Sequence, residues 1–288
     1  MSSTWYDPVV QHRSELFPLA TDVEPILKSL RGIKAVIFDV YGTLVISGSG
    51  DVGSANSHDS GRHIDAAMDA VGIPGAGGRR PTVDDLHRRI NASNMLRKSE
   101  SCPQPEVDIV DVWRQTLIDC GIHSATTEQI NRLAARYEAA ANPTWPMPGA
   151  AELLEKLRHS GLTLGIVSNA QGFTLPLVED LDGRFGVDSV FDLNLCVFSC
   201  RYRHGKPGPR LFEVLCGGLQ RVGISPREAI YVGNDRLNDV WAATRAGLRT
   251  AWFAGDRRSL RPRADDSRVA NLDHDIVLTQ LTQLLDCI

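Results

Sequence analysis

A short buried strand that ends on a carboxylate constrains this chain more than any other stretch. Residues 33–45 read IKAVIFDVYGTLV. Ala35, Val36, Ile37 and Phe38 form an apolar run with β-branched and aromatic members, the pattern of a buried strand. The run stops at Asp39, and Gly42-Thr43 follows, a pair suited to a sharp turn. A carboxylate at the end of a buried strand is costly unless it is paired, hydrogen-bonded or metal-bound. In open parallel sheets, ligands collect just beyond the carboxyl ends of the strands. Asp39 is therefore read as a site residue. The competing reading is a turn aspartate that caps its own loop.

From residue 150 onward, strand alternates with helix. Ala151, Leu153, Leu154 and Leu157 form a helix face that stops near Gly161, and a strand over 162–167 ends at Ser168-Asn169. A helix is expected over 173–181, a strand over 191–198 and a helix over 209–222. A strand over 229–232 ends at Gly233-Asn234-Asp235, a helix over 239–246 ends at Gly247, and a strand follows over 250–253. Residues 275–278 read as an edge strand before a short final helix. Repeated strand–helix units imply an α/β fold, a doubly wound parallel sheet with helices on both faces.

The first strand is separated from this series by a helical insert. Residues 47–61 are Gly/Ser-rich and read both as a linker and as a hinge that lets the next segment move over the site. Four helices are expected over 62–141. Thr82 caps one over 83–100, with Asp85 at its third position; Pro105 opens the next; Thr127 caps the last. Residues 142–149, NPTWPMPG, are the return linker. The expected domains are an α/β core over 1–46 and 142–288 and a helical-bundle cap over 47–141. Elsewhere, residues 1–20 are irregular, Thr21-Asp22 can cap a short helix bearing Val23, Ile26, Leu27 and Leu30, and the basic stretch 257–268 reads as a solvated surface loop.

Composition narrows the class. A net charge of −4 argues against a nucleic-acid partner, and no run is long enough to span a membrane. The N-terminus lacks a basic-then-apolar signal pattern. Six scattered cysteines without CxxC spacing fit a cytoplasmic protein with free thiols. Apolar residues of the insert leave a monomer and a homodimer both open.

The strand ends carry complementary groups. Asp39 offers a nucleophile or metal ligand, Ser168 a hydroxyl, Asn169 a backbone N–H, Lys206 a point charge, and Asp235 and Asp239 further carboxylates. Carboxylates can hold a hard cation through oxygen. Lysine and hydroxyl can neutralise a transferring phosphoryl group. An aspartate can attack phosphorus and split one hard step into two.

In order and spacing, FDVYGTL at 38–44, VSNA at 167–170, KPGPRLF at 206–212 and VGNDRLNDVWAATRAG at 232–247 resemble the haloacid dehalogenase-like (HAD) superfamily. The resemblance covers about residues 33–255 and includes the insert, which in that family is a mobile cap. It implies that Asp39 is the nucleophile and that Thr43, Ser168, Asn169 and Lys206 contact the substrate. For metal-dependent members it implies Mg2+ on Asp39, the main-chain carbonyl of Tyr41 and an acid of the last motif. Asn234 stands where the first acid of that motif is usual, Asp235 comes one step late, and Asp239 matches the second acid.

Tyr41 is the larger departure. Phosphatases of the superfamily usually have a second aspartate there, whereas its 2-haloacid dehalogenases have a tyrosine and use no metal. A phenol with an ordinary pKa near 10 can donate a proton but is a poor base; alternatively Tyr41 only packs under the cap. Asp235 and Asp239 point the other way, because neighbouring carboxylates repel without a cation. An arginine that dehalogenases place after the first motif has no counterpart in 47–61, and Arg62 is the first candidate. Three readings stand: a Mg-dependent hydrolase of a small phosphorylated metabolite with atypical acid–base chemistry, a 2-haloacid dehalogenase, and a non-catalytic binding protein on this scaffold.

Overall fold

The computed structural model describes residues 7–11, 13–49, 57–179, 181 and 190–288. Helix α1 (Asp7–Gln11) precedes strands β1 (Ala35–Phe38) and β2 (Val45–Ser47). Helices α2 (Ser57–Ala70), α3 (Val83–Arg97), α4 (Ile109–Asp119) and α5 (Thr127–Ala141) come next. Strand β3 (Thr144–Pro146), helix α6 (Ala150–His159), strand β4 (Thr163–Ser168), helix α7 (Leu175–Glu179) and strand β5 (Cys196–Phe198) follow. Beyond helix Arg210–Arg221 lie β6 (Ala229–Gly233), β7 (Arg249–Phe253) and β8 (Ile276–Leu278).

The six-stranded parallel sheet has the spatial order β5-β4-β1-β6-β7-β8. β1 is central because it is apolar on both faces. Its four residues pair with Thr163–Ile166 on one side and Ala229–Val232 on the other. Val36 and Phe38 pack with Leu153, Leu154 and Leu157 of α6, while Ala35 and Ile37 pack with Leu211, Leu215 and Leu219 of helix Arg210–Arg221. Period-two alternation thus feeds two separate cores, which is what a doubly wound sheet requires. Gly165 of β4 lets the layers meet: a Cβ there would lie 2.7 Å from that of Leu195 and 2.8 Å from Ile37 Cδ1.

Helices α2–α5 enclose their own apolar cluster, in which Trp113 and Tyr137 meet edge to face at 5.2 Å. They are inserted after the first strand of the sheet, as expected. Thr82 and Asp85 form the anticipated capping box of α3; α5 is capped by Thr126, one residue earlier than anticipated. Two antiparallel arms, β2 and β3, join the insert to the sheet domain. Asn142 clasps them, its Oδ1 accepting from Ser47 Oγ at 2.7 Å, Ser49 Oγ at 2.9 Å and Ser49 N at 3.2 Å. Asn142 Nδ2 donates to Glu138 Oε1 at 3.3 Å.

Several local expectations fail where backbone pairing wins. Residues 23–30 are not helical: Ile26 exchanges hydrogen bonds with Val277 of β8, and Leu30 N donates to the Cys287 carbonyl. An isolated helix this short is marginal, whereas the open edge of β8 offers unpaired backbone groups. Pro105 does not open a helix, because residues 104–106 pair with 203–205 on the sheet domain; α4 starts at Ile109 under an Asp108 cap. Only Cys196–Phe198 of 191–198 is strand, since Asp192 caps a tight turn at Leu193–Leu195. The helix expected over 173–181 is limited to Leu175–Glu179. Of the Gly/Ser hinge, 57–61 form the first turns of α2, and 50–56 lie outside the described residues. After β6 the chain makes a π-turn over Arg236–Trp241, with Val240 N bonding Asp235 O at 3.2 Å. All six cysteines are unpaired thiols. No helix among the described residues is long and apolar enough to cross a membrane.

Burial at the base of the insert pushes Glu138 up from 4.5 to about 7, opposed by the Asn142 hydrogen bond. Because the folded value is the higher one, the stability tied to neutral Glu138 is complete below about pH 4.5 and is lost as pH rises through 7. Glu138→Gln is expected to match the parent near pH 4.5 and to be more stable at pH 8 by about 1–2 kcal/mol, a figure reduced for partial solvent access. Chemical denaturation at the two pH values checks this, and a pH-independent difference contradicts it.

Candidate active site

Asp39 continues β1, its N–H donating to the Val232 carbonyl at 2.9 Å. The chain then turns sharply over Val40, whose carbonyl accepts from the N–H groups of Thr43, Leu44 and Val45. Gly42 sits in this turn at φ 78°, where a side chain is strained, and a Cβ would lie 2.5 Å from that of Ser259. The turn holds the Asp39 carboxylate above the strand end, 7% exposed.

Lys206 supplies the counter-charge. Its Nζ is 2.9 Å from Asp39 Oδ1, 2.6 Å from Asp239 Oδ1, 2.9 Å from Tyr231 Oη and 3.3 Å from the Val167 carbonyl. Burial opposes the charge, but the two carboxylates outweigh it and hold the ammonium above its ordinary pKa. Asp239 is pushed up by burial and by its acidic neighbours, against the pull of Lys206. The Asn169 side chain sets the lysine's position, accepting from Lys206 N at 2.7 Å and donating to its carbonyl at 3.2 Å. The structure therefore attaches a side-chain task to Asn169 in addition to the backbone contact expected of it.

Asp39, Tyr41, Ser168, Asn169, Lys206, Asp235 and Asp239 line one cavity of about 60 Å³, together with Asn234, Asn238 and Arg261. Thr43 is not part of its lining; it is fully buried, with Oγ1 donating to Asn234 Oδ1 at 3.4 Å. Ser168 Oγ is buried without a hydrogen-bond partner among the described residues, which points to a ligand atom there. Tyr41 Oη is 2.9 Å from Thr174 Oγ1, and burial, reinforced by Glu138 and Asp39, pushes the phenol well above its ordinary value. It keeps its proton and is poorly suited to either acid or base work at neutral pH.

The last motif divides its labour. Asp239 Oδ2 accepts from Asp235 N at 2.9 Å, and a methyl group at Gly233 would overlap the Asp239 carboxyl. Asp235 caps the π-turn through Leu237 N and Asn238 N and is gripped by Arg263, Nη2 to Oδ2 at 2.6 Å and Nε to Oδ2 at 3.1 Å. The stretch 257–268 is thus largely exposed, as expected of a surface loop, but is anchored to the last motif through Arg263. Two residues that sequence reasoning missed come from it and from β6: Arg261 lines the cavity, and Tyr231 joins the lysine network. A phenol within the apolar strand AIYVG was a legible signal for Tyr231, because a buried hydroxyl needs a partner. Nothing local distinguished Arg261 from the other arginines of its loop.

Oxygen donors at the cavity suit a hard cation. Magnesium takes one or two carboxylates and keeps several waters. Asp39 and Asp239, whose Oδ1 atoms share one ammonium, fit that demand, whereas Asp235 is committed to Arg263. Among the described residues no group of three or more His, Cys, Asp and Glu forms a closed metal site.

Known proteins resemble the chain in sequence and in fold. The family model for haloacid dehalogenase-like hydrolases matches residues 33–247. Phosphoglycolate phosphatase of Salmonella paratyphi A is 30% identical over 235 residues, covering 77% of this chain and 81% of its own. The enzyme of the same name from Escherichia coli O157:H7 is 28% identical over the same shares. A 2-haloacid dehalogenase from Pseudomonas syringae pv. Tomato DC3000 shares the fold, with a TM-score of 0.54, 20% identity, and coverage of 88% of this chain and 97% of that one.

Removing the shared ammonium tests the electrostatics. Lys206→Met leaves Asp39 and Asp239 facing each other unpaired and is expected to cost about 3–5 kcal/mol of stability. Adding Asp239→Asn should recover part of that loss. Denaturant unfolding of the single and double variants measures both, and a double variant no more stable than the single one contradicts the shared-ion account.

Proposed function

The chain belongs to the haloacid dehalogenase-like hydrolases, and from that footing we propose that it hydrolyses a small phosphorylated metabolite of the phosphoglycolate kind, in the cytoplasm and with Mg2+. The observation that carries this reading is the buried Asp39–Lys206–Asp239 cluster beside an unpartnered Ser168 hydroxyl. In this proposal the Asp39 carboxylate attacks phosphorus, the bond to the leaving alcohol oxygen breaks, and water then cleaves the aspartyl phosphate to restore Asp39. Ser168 Oγ and the Asn169 N–H hold the phosphoryl oxygens. Lys206 holds the Asp39 carboxylate in place through its ammonium. Thr43 supports this surface from beneath Asn234. Asp39, the main-chain carbonyl of Tyr41 and Asp239 would hold magnesium, with Asp235 joining only on leaving Arg263. A bound magnesium ion would supply charge neutralisation at the phosphoryl group. Tyr41 retains its proton, so the leaving oxygen takes its proton from water; this is the atypical acid–base feature.

A second reading, a 2-haloacid dehalogenase, is favoured by Tyr41 alone. A departing halide needs no proton, and a buried phenol at that position then carries no penalty. Turnover of purified protein on small phosphomonoesters and on 2-haloacids, with magnesium or with chelator, separates the two. Phosphate release that disappears with chelator and falls about 10³-fold or more in Asp39→Asn is expected. Chelator-insensitive halide release would replace the phosphatase reading with the second.

A further inference from the structure

Asp256, in the loop after β7, is a carboxylate only 2% exposed, and a charge so placed needs donors. Its Oδ1 accepts from Leu19 N at 2.9 Å and from Arg258 N at 3.1 Å, and its Oδ2 accepts from Arg258 Nη1 at 2.9 Å. Leu19 belongs to the segment that precedes β1, so one of these donors comes from the other end of the chain. Three more bonds fasten that segment along the loop. Arg257 N donates to the Leu19 carbonyl at 2.9 Å, Arg258 Nη2 to the Phe17 carbonyl at 3.3 Å, and Thr21 Oγ1 to the Ala254 carbonyl at 2.7 Å. Phe17 and Leu19 leave their side chains exposed, so polar bonding rather than apolar burial holds residues 17–21 here.

The loop passes this constraint on to the site. The Asp256 carbonyl accepts from Ser259 N at 3.1 Å and from Leu260 N at 3.0 Å, a tight turn that presents Ser259. Ser259 packs directly on the turn that follows Asp39, since a Cβ at Gly42 would lie 2.5 Å from that of Ser259. Its carbonyl accepts from the Asn234 side chain of the last motif. Gly42 lies between Tyr41, which lines the cavity, and Thr43, which bonds Asn234. Ser259 is therefore wedged between the Asp39 turn and the last motif, and the Asp256 turn sets how far it reaches. A displacement of about 1 Å in a reacting group can cost about 10²-fold in rate.

We propose that Asp256 is a positioning residue for Asp39: by tying residues 17–21 to the turn at 256–260, it holds Ser259 against Gly42 and so fixes where the Asp39 carboxylate stands. This inference rests on Asp39 as the nucleophile, which the phosphatase and dehalogenase readings share.

Steady-state turnover of the full chain tests it, on para-nitrophenyl phosphate with magnesium and on 2-chloropropionate, each assayed well below the melting temperature recorded for that variant. Asp256→Ala is expected to lower kcat about 10-fold or more with KM within about twofold of the parent, the pattern left when the reacting group rather than substrate binding is disturbed. Asp256→Asn, which keeps an acceptor for Leu19 N, should recover part of that loss. Leu19→Pro removes the N–H donor of the segment and should lower kcat in the same way by a smaller factor, whereas Leu19→Ala, which keeps the donor, should match the parent. A merely structural tie would lower the melting temperature and leave kcat unchanged, so parent-like kcat in folded Asp256→Ala overturns the proposal. If Asp256→Ala does not fold, Leu19→Pro decides: reduced kcat at unchanged KM supports the proposal, and parent-like kcat overturns it. A parent protein that turns over neither compound overturns the reading of Asp39 as a nucleophile, and this inference with it.

Discussion

The ammonium of Lys206 is the interaction on which the site depends. Two carboxylates from different strand ends, Asp39 and Asp239, converge on it in a volume nearly closed to solvent. Without it, the two carboxylates would face each other with no counter-charge between them. Its position is fixed from three directions, by the Asn169 amide on its peptide, by Tyr231 beside its head, and by the Val167 carbonyl beneath. The cost of burying three charges is thus spread over β1, β4, β6 and the segments that follow them.

That convergence is possible because β1 lies in the middle of the sheet. Strand ends that are adjacent in space, β4, β1 and β6, bring together residues separated by more than a hundred positions in sequence. The helical insert leaves just after the Asp39 turn and returns just before α6 through the β2–β3 arms, so Asn142 ties both passages at one point. Residues 104–106 of the insert in turn pair with 203–205, next to Lys206. The insert therefore meets the segment that leads into Lys206 through its backbone.

The π-turn after β6 bears on the spacing of the last motif. It accommodates Arg236–Trp241 while aiming Asp239 back at Lys206 and leaving Asp235 to cap the turn and take Arg263. A residue that looks like a metal acid in the linear pattern becomes an anchor for a loop. Asn234, at the usual place of that acid, faces Thr43 and Ser259 and stitches the Asp39 turn to the same loop.

Much of this was legible in the chain. Apolar runs ending in Asp39, Ser168 and Gly233 announce buried parallel strands, because only a two-faced core tolerates such runs, and polar groups at their ends gather at one sheet edge by topology. Capping chemistry at Thr82 and the apolar stripes of 62–141 announce the helical insert for an equally local reason. Tertiary structure alone decided what had no local signal. Residues 23–30 became a strap because the edge of β8 needed partners; Tyr231 became part of the charge network because it faces the lysine; and the 257–268 loop is tied to the last motif because Arg263 pairs with the buried Asp235. Periodicity reports which residues must be buried, but the pairing of a charge with its counter-charge depends on distances that exist only once the sheet has formed.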